Sequence, residues 1–376
     1  MSKILFCFTL VNCGSNEDQF IPNHADTTNT QELNIGDVDL PELDEDGLIN
    51  YPVTSRLPLF EPMGDQTMLI VGQDMVAIGG IVEKGSVYDQ GYMDDPELDD
   101  LPVGLTTYLH IQDNRGLTET FNNLGEVKNA KLTVNHTGFS HTTPLLSIGY
   151  FISNDYEAIQ SGKYDRSLHT LANWIVKTNV PTFLRIGYEF NAEWTKHPLD
   201  PKGYINTFRY IVSQLDAQGV KNCAYVWQTD GIGNESELLK FYPGDEFVDW
   251  MAYSHFKSSG EGLLSLALKH KKPVMIAEAT PVDFDLSKDN DADGQRAWTN
   301  WFSPLFKRID KNPNIRMLAY INDDWDAKSM WQDVEFFNQT DSRIQLSEKI
   351  KQEWISEITD GTWFKQEEVL KAIGWE

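Results

Sequence analysis

From about residue 60 the chain settles into short apolar runs separated by longer amphipathic stretches. The runs fall at 67–72 (TMLIVG), 102–110 (PVGLTTYLH), 145–151 (LLSIGYF), 182–188 (TFLRIGY), 222–228 (NCAYVWQ), 248–253 (VDWMAY), 273–278 (PVMIAE) and 314–321 (NIRMLAYI). They are rich in Leu, Ile, Val and aromatic residues and mostly do not alternate with polar ones, which predicts strands buried on both faces. Between them lie stripes at helical spacing: Leu168, Leu171, Trp174 and Ile175; Tyr204, Phe208, Ile211, Val212 and Leu215, ending near Gly219; Leu263, Leu264, Leu266 and Leu268. Trp298, Trp301, Phe302, Leu305 and Ile309 make another, and Ile344, Ile350, Trp354 and Ile358 the last. Each stripe is the face a helix lays on a sheet. Eight strands alternating with helices predict an α/β fold, a (β/α)8 TIM barrel forming one domain over 56–376. A doubly wound open sheet is the runner-up, weakened because no glycine-rich dinucleotide or P-loop signature follows the first strand.

Two of these runs deliver a glutamate at their C-terminal end. Glu189 follows the fourth strand and Glu278 closes the seventh. A carboxylate at the end of a buried strand costs stability unless it is paired or used. In a barrel, catalytic groups sit at the C-terminal ends of the strands, and two carboxylates on different strands are what glycoside cleavage requires. Arg185 precedes Glu189 by four residues, and strand residues an even number apart share a face, so Arg185 reaches into the barrel top. A structural ion pair inside the barrel is the plain alternative for it. Glu193, in a loop, and Glu246, ahead of its strand, read as solvated surface acids.

The whole chain carries a net charge of −26 with a pI near 4.6. That argues against nucleic acid, whose phosphates require Lys and Arg, and against polyanionic glycans. A neutral substrate fits better. Part of the acidity is local: residues 14 to about 50 hold ten acids and no Lys or Arg. With sparse, aperiodic apolar residues, 14–55 reads as a disordered acidic tether. Residues 1–13 (MSKILFCFTLVNC) resemble an export signal, and Leu10-Val11-Asn12-Cys13 a bacterial lipoprotein box with Cys13 as the lipidated residue. Gly14-Ser15-Asn16-Glu17-Asp18 is similar to the surface-export tag of Bacteroidetes lipoproteins. The expected location is therefore the periplasm or surface of such a Gram-negative cell, with outer-membrane attachment through Cys13. Cys7, Cys13 and Cys223 define no disulfide framework.

No zinc-like Cys/His spacing is present, and no metal or other cofactor is expected. Asp289-Asn290-Asp291-Ala292-Asp293-Gly294 begins like a calcium loop, but Asn300 stands where the twelfth-position carboxylate belongs. A polar loop is the favoured reading of that run.

Arg185-Ile186-Gly187-Tyr188-Glu189-Phe190-Asn191-Ala192-Glu193-Trp194 resembles the acid/base region of glycoside hydrolase family 26, and Val274-Met275-Ile276-Ala277-Glu278-Ala279-Thr280-Pro281 is similar to its nucleophile strand. Phe241 to Trp250, Val71-Gly72-Gln73-Asp74 and Tyr225-Val226-Trp227-Gln228 add support, and the resemblance covers about 65 to 358. It implies a retaining endo-β-glycosidase with Glu189 as acid/base and Glu278 as nucleophile. It further implies that Arg185 pairs with Glu278 and that Tyr253 donates a hydrogen bond to Glu278. Many β-mannanases of the family place His before the acid/base; Tyr188 stands here, which resembles the β-1,3-xylanase branch. β-1,3-Xylan is accordingly the expected substrate, with β-mannan or another marine glycan such as a red-algal galactan as the alternative. A surface glycan-binding lipoprotein without catalysis is the competing class, and two retained buried carboxylates speak against it.

Sugar-binding positions are expected where strands meet loops: Gln73 and Asp74, His110, Tyr188, Asn191, His255, Asn322 and Asp323 for hydroxyls, and Trp194, Trp227, Trp325 and Trp331 as aromatic platforms. Any of these tryptophans can instead pack under a loop. Trp174, Trp301 and Trp354 lie on helical stripes and read as core.

Overall fold

A computed structural model describes residue 48 and residues 57–80, 91–288 and 291–375. The proposed signal, Cys7, Cys13 and nearly all of the tether lie outside the described residues.

Eight parallel strands close into a barrel: β1 (Met68–Gly72), β2 (Gly104–His110), β3 (Leu145–Phe151), β4 (Thr182–Ile186), β5 (Cys223–Thr229), β6 (Trp250–His255), β7 (Val274–Ala279) and β8 (Ile315–Ile321). They match the eight predicted runs to within a residue or two, because a strand buried on both faces must be apolar throughout. The fourth run overshoots: β4 stops at Ile186, since Gly187 and Glu189 adopt φ of +55° and +54° and turn the chain out of the sheet.

The helical stripes form Asp165–Thr178, Pro201–Ala217, Glu261–His270, Ser303–Lys311 and Glu348–Ile358. The tryptophan-rich start of the fourth stripe is a π-helical turn, Trp298–Phe302, leading into Ser303–Lys311. The first two connections differ. Their described residues hold the short helices Met75–Ile78 and Ala130–Val134 and the 3-10 turns Tyr92–Asp94 and Thr137–Phe139, and a hairpin of Phe121–Asn123 and Glu126–Lys128 folds over the rim after β2. Asp291 to Gly294 begin a helix, Asp291–Ala297, rather than a loop; Asp289 and Asn290 lie outside the described residues.

Two apolar layers hold the barrel. Leu184, Ile186, Tyr225, Trp227, Tyr253 and Tyr320 face the helices, whereas Phe183, Ala224, Val226, Trp250, Met275, Ala277 and Met317 fill the interior. Below, the interior is closed by Phe60 and by Phe364, Val369 and Ile373 of the C-terminal segment. Above, it becomes polar, and the site begins there.

One irregularity decides the chemistry. Between β6 and β7 the register moves from Tyr253↔Ile276 to Ser254↔Glu278, so one step on β6 matches two on β7. The β8 side repeats this, from Leu318↔Ile276 to Tyr320↔Ala279. Strict alternation from inward Met275 and Ala277 would turn Glu278 towards the helices. The extra residue makes a bulge that re-aims it inward.

Candidate active site

Arg185 is fully buried on the inner face of β4. Its Nη1 donates to Glu278 Oε1 at 2.6 Å and to Gln228 Oε1 at 3.0 Å, its Nε to Ser147 Oγ at 3.1 Å and its Nη2 to Thr106 Oγ1 at 3.3 Å. The guanidinium also lies 4.8 Å from the Tyr108 ring centroid. Space for this comes from Gly149, where a Cβ would stand 2.4 Å from the Tyr108 ring and 2.9 Å from Arg185 Nη2. Gln228 Nε2 adds a second donor to Glu278 Oε1 at 3.0 Å. Both bonds land on one oxygen, so Oε2 accepts none among the described residues. A charge-assisted bond from Arg, doubled by a neutral amide donor on the same oxygen, fixes the orientation of this buried carboxylate.

Glu189 meets the opposite environment. It is 8% exposed and no cation pairs with it among the described residues. Ser254 Oγ donates to its Oε1 at 2.6 Å and Trp194 Nε1 to its Oε2 at 2.8 Å. Burial, then the charge of Glu278, pushes its carboxyl up to about 8, against the pull of those two donors. Gln228 Nε2 also donates to Ser254 Oγ at 3.0 Å, so one chain of buried hydrogen bonds joins both glutamates.

Aromatic side chains wall the acid side. Trp194 stacks on Phe151 at 6.1 Å and 12°, Tyr188 stands edge-on to Phe151 and Tyr108, and His110 packs on Phe151 at 4.8 Å. Phe151 and Ser254 are absent from the sequence-based candidates. Phe151 carried a usable signal, as the last residue of a barrel strand.

Across the rim, at the ends of β8, β1 and β2, a second buried cluster gathers Gln73 and Asp74. Lys328 Nζ bridges Asp74 Oδ2 at 2.9 Å and Asp323 Oδ2 at 2.5 Å, and Lys128 pairs with Glu126 at 2.7 Å. Gln73 Nε2 donates to Glu126 and Asp323, and Asp74 also accepts from the backbone N–H of Val127. These bonds fasten the hairpin to the barrel, and the Gln73 amide N–H group is spent on them.

Several expectations are corrected. Tyr253 does not bond Glu278: it faces the helices, its hydroxyl has no partner among the described residues, and Ser254 takes the inward place. His255 points outward with it, packed at 5.5 Å against Trp301. Trp227 is fully buried, stacked on Phe190 at 4.4 Å and donating to the Phe241 carbonyl. Asn322 spends its amide on Ala77, Gln345 and the N–H of Ile344. Asn191 is a clamp: its Nδ2 donates to Asp230 and the Ile232 carbonyl, while its Oδ1 accepts from Thr229 and the N–H of Asp230. Trp325 is 1% exposed beneath Phe337, stacked at 4.0 Å, so it is no open platform; Trp331 lies half-buried beside both. Glu193 is exposed, and Glu246 precedes β6 at the far end of the barrel.

Fold and site define a (β/α)8 barrel with one buried carboxyl at the end of β4 and another at the end of β7. The family model of glycosyl hydrolase family 26 matches residues 150–314, a span that contains both. A β-1,3-xylanase of a Vibrio species is 26% identical across 72% of this chain and 63% of its own length. A β-1,3-xylanase of an Alcaligenes species is 26% identical across 67% of this chain and 58% of its own. The chain thus spans about three-fifths of the curated relatives it matches. An endo-β-1,4-mannanase double mutant of Cellulomonas fimi shares the fold, with a TM-score of 0.58 at 16% identity over 82% of this chain and 74% of that one. The chain resembles glycoside hydrolase family 26 and its relatives, on the side of the β-1,3-xylanases.

Proposed function

We propose that this protein is a retaining endo-β-glycosidase of a neutral polysaccharide, with β-1,3-xylan as its substrate. The observation that carries the reading is the opposed setting of the two glutamates. Glu278 is held by Arg185 and Gln228, whereas no cation among the described residues pairs with Glu189, which keeps its proton up to about pH 8. Glu278 Oε2, free of both donors, attacks the anomeric carbon while Glu189 protonates the departing oxygen. The Ser254 and Trp194 donors then stabilise the carboxylate that Glu189 becomes. In the second step Glu189 removes a proton from water, which cleaves the glycosyl ester on Glu278. Tyr188 beside the acid and the two xylanase relatives support the choice of sugar.

Reducing-sugar release from β-1,3-xylan, β-mannan, β-1,3- and mixed-linkage glucan, β-1,4-xylan and red-algal galactan tests this. Release from β-1,3-xylan is expected, with the β-anomer formed first by proton NMR. Binding without release from any glycan overturns the enzyme reading; release from another polysaccharide alone overturns the substrate. On sequence grounds we also propose export and lipid attachment at Cys13. Labelled palmitate should enter the wild-type chain, and equal labelling of Cys13→Ser would exclude that residue.

A further inference from the structure

A third carboxylate stands beside the acid. Asp230 follows β5, and two bonds converge on its Oδ1, from Asn191 Nδ2 at 2.5 Å and the Ile232 N–H at 2.8 Å, with Thr229 Oγ1 3.4 Å away. Its Oδ2 accepts no bond among the described residues, and no cation there neutralises it. The loop is fixed from the other side too, where Ser258 Oγ donates to the Asp230 carbonyl at 3.0 Å. Gly231 packs so closely that a Cβ would lie 2.1 Å from Ser258 Oγ and 2.7 Å from the Ser254 carbonyl. The next residue, Ile232, is 64% exposed although its backbone is bonded at both N–H and carbonyl. A fixed acceptor oxygen next to a fixed, exposed apolar side chain matches a sugar ring, which offers hydroxyls at its edge and C–H groups on its face. Because Asn191, two residues beyond Glu189, holds this loop, it belongs to the side where the acid delivers its proton.

Resting on the glycosidase reading above, we infer that Asp230 and Ile232 form a subsite for the leaving-group sugar, with Asp230 Oδ2 accepting from its hydroxyls. Asp230 is a specificity-determining residue, and Asn191 positions it. Its charge also adds to the forces that keep Glu189 protonated.

The test compares kcat/KM on a β-1,3-xylo-oligosaccharide with kcat/KM on a nitrophenyl β-xylobioside, whose leaving group is not a sugar. Asp230→Asn retains an Oδ1 acceptor for the clamp. Its oligosaccharide-to-nitrophenyl ratio is expected to fall about tenfold or more, the size of a lost bond to a charged acceptor. Ile232→Ser, at an exposed side chain, should lower the same ratio about threefold and keeps the test open should Asp230→Asn fail to fold. Unchanged ratios in the folded variants of a cleaving enzyme overturn the subsite alone. Failure of the wild type to cleave either substrate overturns the subsite together with the substrate reading on which it rests.

Discussion

The barrel mouth holds two buried charge clusters, and they are built on opposite terms. At the ends of β8, β1 and β2, Asp74, Asp323 and Glu126 each bond an ammonium, from Lys328 or Lys128. At the ends of β4, β5 and β7, Glu189, Glu278 and Asp230 share one paired cation among the described residues, Arg185, which goes to Glu278. Burial is similar on both sides. Asp323 is pushed up to about 6, by burial and by Asp74, with Lys328 pulling it back. Glu189 has no such counterweight and reaches about 8. A compensated cluster fastens structure, whereas an uncompensated carboxyl stores a proton that can be delivered.

The contrast is breakable. The largest effect is expected from Glu278→Gln, which keeps the shape around Arg185: kcat should fall by about 10⁴-fold or more, as for loss of a covalent nucleophile. A rate near wild type would remove Glu278 from that role. Glu189→Gln should cost about 10²–10⁴-fold, the range of general acid catalysis, and less on substrates with activated leaving groups. An equal loss on activated and unactivated glycosides would deny it the acid role.

On the other side of the rim, Lys328→Met leaves two buried carboxylates without their cation. Urea unfolding should show a loss of about 3–5 kcal/mol, with kcat of the folded fraction changed far less than by either glutamate substitution. A catalytic collapse without destabilisation would invert the comparison.

The pH dependence follows from Glu189. The acid must be protonated, so kcat/KM should decline as pH rises through about 8. The folded value lies above the ordinary 4.5, so between 4.5 and about 8 the unfolded chain has already lost a proton that the folded one keeps. Stability from this group therefore decreases as pH rises across that window. A basic limb unchanged in Ser254→Ala would exclude Ser254 as a donor that tunes the acid; an upward shift is expected, since that bond favours the ionised form. The smallest effect belongs to Tyr253→Phe: its hydroxyl has no partner among the described residues, so activity and melting temperature should stay near wild type. A large drop in kcat would restore Tyr253 to the site.

How far the sequence carried differs residue by residue. Glu189, Glu278 and Arg185 were legible because a charge inside or closing an apolar run is conspicuous. Tyr253 and Ser254 were not separable, because VDWMAY is apolar on both faces and carries no alternation to mark the inward side. Trp227, His255 and Asn322 were misjudged for the same reason: lying near a strand's end says nothing about which way a side chain turns. Asp230 escaped notice because a polar residue in a loop is ordinary until its surroundings are known.

The sequence by itself determined the order of strands and helices, the closed barrel they imply, and which carboxylates stand at the ends of the fourth and seventh strands. These follow from local apolar periodicity and chain order. Only the tertiary structure decided which residues face the mouth, that an extra residue in β7 turns Glu278 inward, and that Arg185 and Gln228 choose Glu278 while Glu189 is left with its proton. Those outcomes depend on register between distant strands and on which charges lie together in a space closed to water, and neither is written in local pattern.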